Sequence, residues 1–157
     1  MDIAGNYTFR VPQKLVWSAL QDPIVLGAVV RTCWGVEKVA DNQYIGTLQF
    51  KAGTIQGIFK GTIKLSNLRE PDSYDIEVNG KGIPGVVRVT GGMRLETDGK
   101  QTVMQYSGKA QFGGRMASVG QRVLELAVRA MIHESFEALD QYLLVELKHQ
   151  QDNQPLE

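Results

Sequence analysis

Apolar and polar residues alternate along most of the chain between residues 33 and 112, which is the spacing of strands with one dry and one wet face. Phe59 and Ile63, for example, fall on one face of their segment, whereas Lys60 and Lys64 fall on the other. Short clusters of glycine, proline, asparagine and aspartate separate these segments, as turns do. The pattern predicts six consecutive strands of an antiparallel sheet.

Helical patterns flank this region on both sides. The opening segment 3–9 alternates and predicts a further strand, which is followed by a short helix over 12–20 and a second over 22–30. Asp22 is suited to cap the second helix because its side chain can accept hydrogen bonds from the first free amide groups. A long amphipathic helix, with a polar stripe at spacings of three and four, is predicted from about 115 to 148.

This order of elements predicts a single α+β domain over residues 1–148, followed by a polar, flexible tail over 149–157. One long helix has to cover the dry face of a seven-stranded antiparallel sheet. The two short helices are expected to close one end of the layer. A helix about 10 Å wide does not fill the concave side of such a sheet, so volume is expected to remain between them.

Glycines on the faces predicted to point inward allow two interpretations of that volume. Gly57, Gly61, Gly91 and Gly108 fall on the dry face of the strands, and Gly120 falls within the predicted long helix. They serve either bulges and sheet coiling in an ordinary core or the bare walls of an apolar pocket. The second interpretation, which we favour, predicts a continuous cavity of several hundred Å³.

The predicted lining of this pocket combines small residues with long, adaptable side chains, methionine above all. Its members are Leu26, Val30, Phe50, Phe59, Gly61, Val89, Met93, Met104, Tyr106, Met116, Gly120, Val123, Leu124, Ala127 and Met131.

Composition excludes several classes of function. Lys plus Arg and Asp plus Glu both number 17, and this balance argues against nucleic acid as a partner. No apolar run approaches the roughly 20 residues of a transmembrane helix, and the amino terminus lacks the apolar core of a signal peptide, so a cytoplasmic location is expected. Cys33 is the single cysteine and only two histidines are present, so neither an internal disulfide nor a Cys/His metal site is expected.

Groups suited to catalysis are scarce on the predicted inner face. Tyr106 is expected to be a core aromatic residue with its hydroxyl at the cavity wall. Glu134 and Ser135 lie where the apolar stripe of the predicted long helix shifts around the helix axis, so they fall near its inner face. His133 lies on the polar stripe and is expected to be solvated. The glycine-rich segment 112–120 lacks the Gly-Lys-Ser/Thr of a phosphate loop. We therefore expect no catalytic residues, no metal and no cofactor.

Four stretches of the chain are typical of one known family: "FRVPQKLVWSALQDPIVL", "FKGTIKLSNLREPDSY", "NGKG" and "FGGRMASVGQRVLE". Through them the chain resembles the CoxG family of carbon monoxide dehydrogenase subunits, within the START-like (SRPBCC) superfamily. The last stretch is similar to the family's Gly-Gly-x-x-Ala-x-x-Gly-x-Arg signature. The resemblance covers about residues 1 to 145 and implies a helix-grip fold. The chain departs from the family at Val30-Arg31-Thr32, where Ile-Pro-Gly is usual.

The resemblance implies a non-catalytic protein that binds a quinone- or lipid-like molecule and is accessory to a molybdenum-containing dehydrogenase, in electron transfer or membrane recruitment. It also implies peripheral membrane contact without a transmembrane segment. Two alternatives remain open. One is an assembly module that acts through an exposed apolar patch around Val29, Val30 and Trp34, although Trp34 itself is expected to be partly buried. The other is a cyclase- or hydrolase-like enzyme that depends on Tyr106.

Overall fold

The computed structural model describes residues 1–30 and 32–153. Its elements follow one another in the order β1 (Asp2–Phe9), α1 (Gln13–Leu20), α2 (Pro23–Val29), β2 (Cys33–Ala40), β3 (Gln43–Ala52), β4 (Ile55–Arg69), β5 (Ser73–Gly82), β6 (Gly85–Asp98), β7 (Gln101–Gly113), a 3₁₀ helix (Gly114–Val119) and α3 (Gln121–Asp152).

The seven strands form one antiparallel sheet in the order β1-β7-β6-β5-β4-β3-β2. Each strand from β2 to β6 pairs with the next along the chain, and β1 forms the other edge by pairing with β7. The helix α3 packs against one face of this sheet. The α+β helix-grip fold predicted from the alternation and the resemblance is therefore confirmed.

Asp22 caps the start of helix α2, as predicted. The carboxylate oxygen Oδ1 of Asp22 accepts hydrogen bonds from the backbone N–H groups of Ile24 at 3.0 Å and Val25 at 3.4 Å. These bonds satisfy amide groups that have no partner within the helix. Capping by Asp22 thus helps to fix where α2 starts.

Two clusters of buried side chains lie between the sheet and the helices. The first core cluster lies beneath α1 and α2 and includes Trp17, whose ring centroid is 5.7 Å from that of Tyr74. The second core cluster lies toward the start of α3 and includes Phe59, Met116 and Leu124. The short helices therefore close and fill one end of the layer, as expected.

The long helix begins later than the apolar pattern predicts. Residues 114–119 form a 3₁₀ helix, and the backbone N–H of Met116 donates to the carbonyl of Pro84 at 2.9 Å, which ties this segment to the β5–β6 turn. Gly120 then starts α3 with φ +103° and ψ +140°, and nothing lies within 4 Å of where its Cβ would be. The prediction that Gly120 lies within the helix and lines a pocket is wrong, because this glycine provides a backbone conformation that other residues rarely adopt.

The far end of α3 also differs from the prediction. The helix continues to Asp152, beyond the expected end at 148, so the first residues of the predicted tail are helical. Residues 154–157, the last part of that predicted tail, lie outside the described residues.

Replacing Gly120 with alanine is expected to destabilise the protein by about 2 kcal/mol, because an L-residue is strained at this φ even where space is open. Urea unfolding of Gly35→Ala is the matched control. Gly35 also has nothing within 4 Å of its missing Cβ, but its φ is not positive, so we expect a change below about 0.5 kcal/mol there. Equal effects at the two positions would show that backbone conformation is not the cause.

Glycines of the inner face allow close approach between strands and do not leave open volume. A Cβ at Gly61 would lie 2.7 Å from the carbonyl oxygen of Asn79, and one at Gly108 would lie 2.7 Å from that of Thr90. At Gly57 the ring of Pro84 already occupies the space. The interpretation that these glycines serve the coiling of the sheet agrees with the structure, whereas the bare-wall interpretation does not.

A buried carboxylate joins α3 to the end of β1. Asp140 is 2% exposed, and its two carboxylate oxygens accept hydrogen bonds from the backbone N–H and the Nε–H of Arg10, both at 2.8 Å. Such bonds to a charged group are stronger than neutral ones. The pair was not predicted from the sequence, because Asp140 reads as one more polar residue of an amphipathic helix.

Candidate functional site

An apolar cavity lies between the inner face of the sheet and α3. Its volume is about 130 Å³, and all of its lining residues are apolar: Leu48, Phe50, Phe59, Val78, Val87, Val89, Ala110, Phe112, Val128 and Met131. The predicted cavity was several times larger. The large aromatic side chains account for the difference, since the rings of Phe50 and Phe112 stack at 6.2 Å between centroids and fill part of the space.

Period-2 geometry brings these side chains together from five different strands. Leu48 and Phe50 lie two residues apart on β3, and the same spacing places Val87 and Val89 on the inner face of β6. On α3, Val128 and Met131 lie about one helical turn apart, so both side chains project toward the same space. The cavity is thus a local gap in an otherwise filled core.

A groove continues from the cavity toward solvent between β3 and α3. Its volume is about 230 Å³, and it shares Phe50 and Met131 with the cavity. Its other lining residues are largely polar or small: Thr32, Gln49, Lys51, Ala127, Ala130, Glu134 and Ser135. The apolar interior therefore meets a mouth of mixed polar and apolar lining at two shared residues.

Four of the residues predicted to bind a ligand line the cavity, namely Phe50, Phe59, Val89 and Met131. Ala127 lines the groove. The period-2 and helical patterns located these residues on the correct faces.

Five further predicted residues lie in the core and not at the cavity. Met93 and Met104 belong to the first core cluster, and Met116 and Leu124 belong to the second. Tyr106 lies between the clusters and packs its ring 5.5 Å from that of Phe136.

The remaining predicted residues lie away from the cavity. Leu26 and Val30 are half-buried at α2, and Gly61 borders an open depression on the outer face of the sheet. Val123 is 39% exposed, and Gly120 caps α3.

Sequence reasoning missed six lining residues: Leu48, Val78, Val87, Ala110, Phe112 and Val128. The signal was present for most of them, because the alternation already places them on the inner face. It does not tell which part of that face stays open.

The groups considered for catalysis are not gathered at the cavity. The Tyr106 hydroxyl lies over Gly5 on β1, 2.5 Å from where a Cβ would be, and Glu134 is exposed in the groove. His133 pairs with Glu137 at 3.6 Å on the exposed side of α3, as expected for a solvated residue.

Two buried tyrosines belong to the first core cluster. Burial raises the pKa of Tyr74 well above its ordinary value, and the nearby Tyr44 raises it further. The pKa of Tyr44 is also raised, chiefly by burial and then by Asp22, while its hydroxyl donates to the carbonyl of Gln21 at 3.0 Å. Both phenols therefore stay neutral at physiological pH and act as packing and hydrogen-bonding groups.

The end of the sheet beside the start of α3 forms a second surface of interest, which we call the basic tip. It consists of segments 51–60, 79–88 and 109–124. The Met116–Pro84 hydrogen bond joins the last two segments, and Gly57 of the first segment lies against the ring of Pro84. These segments contain no acidic residue, whereas their exposed basic residues are Lys51, Lys60, Lys81, Arg88, Lys109, Arg115 and Arg122. Ile83, at the β5–β6 turn, is 92% exposed among them.

The patch proposed around Trp34 is only partly formed. Trp34 is 60% exposed, so the expectation that it is partly buried is wrong, whereas Val29 is buried in the first core cluster. Cys33 is half-buried, and its thiol donates to the carbonyl of Gly35 at 3.6 Å.

Among residues 1–30 and 32–153, no helix is both long and apolar enough to cross a bilayer. The same residues contain no group of three or more His, Cys, Asp or Glu side chains arranged to hold a metal ion.

A seven-stranded antiparallel sheet that grips a C-terminal helix over an apolar cavity defines the helix-grip class of domains. Residues 5–144 match CoxG, a family of carbon monoxide dehydrogenase subunits, and the chain belongs to that family. No curated protein matches the sequence.

Solved structures agree with this assignment at the level of the fold. A conserved protein from Geobacillus kaustophilus is 26% identical, with a TM-score of 0.86 over 92% of this chain and 95% of that one. The Zhui aromatase/cyclase from Streptomyces sp. R1128 is 15% identical, with a TM-score of 0.66 over 94% and 95%. The protein TTHA0849 from Thermus thermophilus is 10% identical, with a TM-score of 0.72 over 93% and 99%.

Proposed function

We propose that this protein is a non-catalytic, cytoplasmic binding protein for a small apolar or amphiphilic molecule. The observation that carries the proposal is the cavity with a wholly apolar lining next to a groove that carries polar side chains. Ligand sites commonly combine these two features. The lining offers neither a proton donor nor a nucleophile, which favours binding over catalysis.

Empty space of this kind favours a guest on energetic grounds. An apolar cavity stays dry and can hold a molecule such as benzene. Each Å³ of cavity volume costs a protein about 24 cal/mol of stability. A guest that fills the 130 Å³ therefore gains about 3 kcal/mol of binding free energy. This gain corresponds to an increase in affinity of more than a hundredfold.

Replacing Val128 with phenylalanine is expected to abolish binding of apolar probes, because the added ring would occupy the cavity that Val128 lines. Titration of toluene, followed by NMR, measures the effect. Val145→Phe is the matched control, since Val145 lies on the same helix and is 69% exposed. Equal toluene affinity in the wild type and Val128→Phe would contradict the proposal.

Family membership supports a more specific role, in which the protein carries a quinone- or lipid-like molecule as an accessory to a molybdenum-containing dehydrogenase. The test is to purify the protein with its native guest and identify that guest by native mass spectrometry. Turnover of the dehydrogenase from the same organism is then measured with and without the loaded protein. Unchanged turnover with Val128→Phe in place of the wild type would contradict the carrier role.

The basic tip supports contact with an anionic membrane surface as part of the same role. Basic residues near such a surface contribute about 1 kcal/mol each, and an exposed isoleucine among them can enter the interface. Two of these basic residues have an acidic neighbour, since Arg88 lies 3.7 Å from Glu77 and Lys109 faces Asp2 in the β1–β7 ladder. Other acidic residues, such as Asp41 and Glu70, lie in the turns of the opposite end.

Ile83→Asp is expected to weaken binding to phosphatidylserine vesicles by roughly tenfold or more, because it removes apolar area and adds a negative charge at the tip. Co-sedimentation with vesicles measures the effect. Ile24→Asp is the matched control, since Ile24 is 82% exposed on α2, outside the basic tip. Equal losses in the two variants would show that the tip has no special role.

A further inference from the structure

We infer that the site accepts an amphiphilic guest in one orientation, with its apolar end in the cavity and its polar end in the groove beside Lys51 and Glu134. The inference rests on the proposed binding function and adds to it the chemical class and direction of the guest. It follows from the lining of the two spaces, their sizes and the two side chains that they share.

The apolar lining of the cavity disfavours the binding of polar groups there. Each of its lining side chains is apolar, so a carbonyl or hydroxyl group placed inside would lose its hydrogen bonds to water and gain no side-chain partner. A ring that carries two carbonyl groups would meet this penalty twice. A quinone-like guest would therefore place its head at the mouth and a segment of its apolar chain inside.

The size of the cavity limits what enters it. At about 130 Å³ it approaches the engineered cavity of about 150 Å³ that binds benzene. One unsubstituted six-membered ring, or a branched chain end of similar volume, therefore fills it. Two fused rings exceed it unless the aromatic side chains of the wall move.

The groove provides what the polar end of such a guest needs. Lys51 and Glu134 both border the groove, and their side chains are able to donate and to accept hydrogen bonds, respectively. The Ser135 hydroxyl donates to the carbonyl of Met131 at 2.7 Å, so its oxygen remains available as an acceptor for the guest. These partners suit a neutral or zwitterionic head better than a single strong charge.

Met131 is the movable part of the boundary between the two spaces. Phe50 and Met131 line both, but Phe50 is 8% exposed and stacked on Phe112, which holds its ring in place. Met131 has an unbranched, flexible side chain that can turn aside at little cost. A guest that spans cavity and groove therefore passes along this methionine.

Affinities of three matched probes test the orientation. Phenylhexanol has one apolar ring and one polar end, (hydroxyphenyl)hexanol is polar at both ends, and naphthylhexanol has a ring system too large for the cavity. We expect calorimetry to give phenylhexanol at least a tenfold higher affinity than either of the others. Intermolecular NOEs should connect its ring to the methyl groups of Val89 and Val128, and its hydroxyl-bearing carbon to Ala130.

A groove variant separates this inference from the binding function itself. Ala130→Trp should lower the affinity for phenylhexanol about tenfold and leave that for toluene unchanged, while Leu126→Trp, at a position 55% exposed on the same helix, changes neither. Reversed NOEs, or equal affinities for the three probes, would overturn the orientation and leave the binding function standing. No binding of toluene or of any hexanol probe would overturn both.

Discussion

Asp140→Ala is expected to lower the free energy of unfolding by about 3 kcal/mol, which is a large part of the stability of a single domain. The substitution removes both acceptors of Arg10 at once. The side chain of Arg10 can turn to water because it is 54% exposed, but its backbone N–H cannot move away. The loss of stability therefore comes mainly from the unsatisfied backbone N–H of Arg10 and from the lost contact between α3 and the end of β1.

Two variants separate these contributions in urea unfolding. Asp140→Asn keeps an oxygen that accepts from the Arg10 amide, so we expect it to lose about half as much as the alanine variant. Glu137→Ala is the matched control, because Glu137 lies on the same helix and its side chain is 54% exposed in a pair with His133. A loss below about 1 kcal/mol for Asp140→Ala would show that the contact does not hold the helix.

The sheet could be predicted from the sequence because its signal is local. Each strand alternates apolar and polar residues with a period of two, which differs from the period of 3.6 residues in a helix. Strand β4 shows this alternation between Ile55 and Leu65. The fold class follows from the order of the elements. Neither step requires knowledge of distant contacts.

The start of α3 could not be predicted in the same way. Residues 114–119 keep an apolar spacing compatible with a helix, but they form a 3₁₀ helix that a hydrogen bond joins to Pro84, which is far away in the sequence. Gly120 looks like an ordinary small residue until its φ is known. A helix boundary that depends on a tertiary contact carries little local signal.

The position of the cavity depends on the same kind of distant contact. Met93 lies on the same face of β6 as Val89, and Met104 lies on the same face of β7 as Ala110. Alternation therefore cannot distinguish the two methionines from Val89 and Ala110. The two methionines are buried in the first core cluster beneath α1 and α2, whereas Val89 and Ala110 line the cavity. Which part of the inner face stays open is decided by where the two short helices dock.

Gly91→Ala is expected to destabilise the protein by about 3 kcal/mol and to leave its affinity for toluene unchanged. Gly91 lies directly opposite Gly108 in the β6–β7 ladder. An added methyl group would meet the carbonyl oxygen of Ser107 and lie 2.8 Å from the Cα of Gly108. Both obstacles belong to the backbone, so relief requires that two strands separate.

The matched control is Gly46→Ala, also within a strand. Its methyl group would lie 3.4 Å from the carbonyl oxygen of Gly35, which is ordinary contact, so we expect a change below about 0.5 kcal/mol. Measuring unfolding and toluene affinity on both variants decides what the inner glycines do. If Gly91→Ala kept its stability but bound toluene more weakly, the glycine would border the guest, and the bare wall, not the coiling of the sheet, would explain its presence.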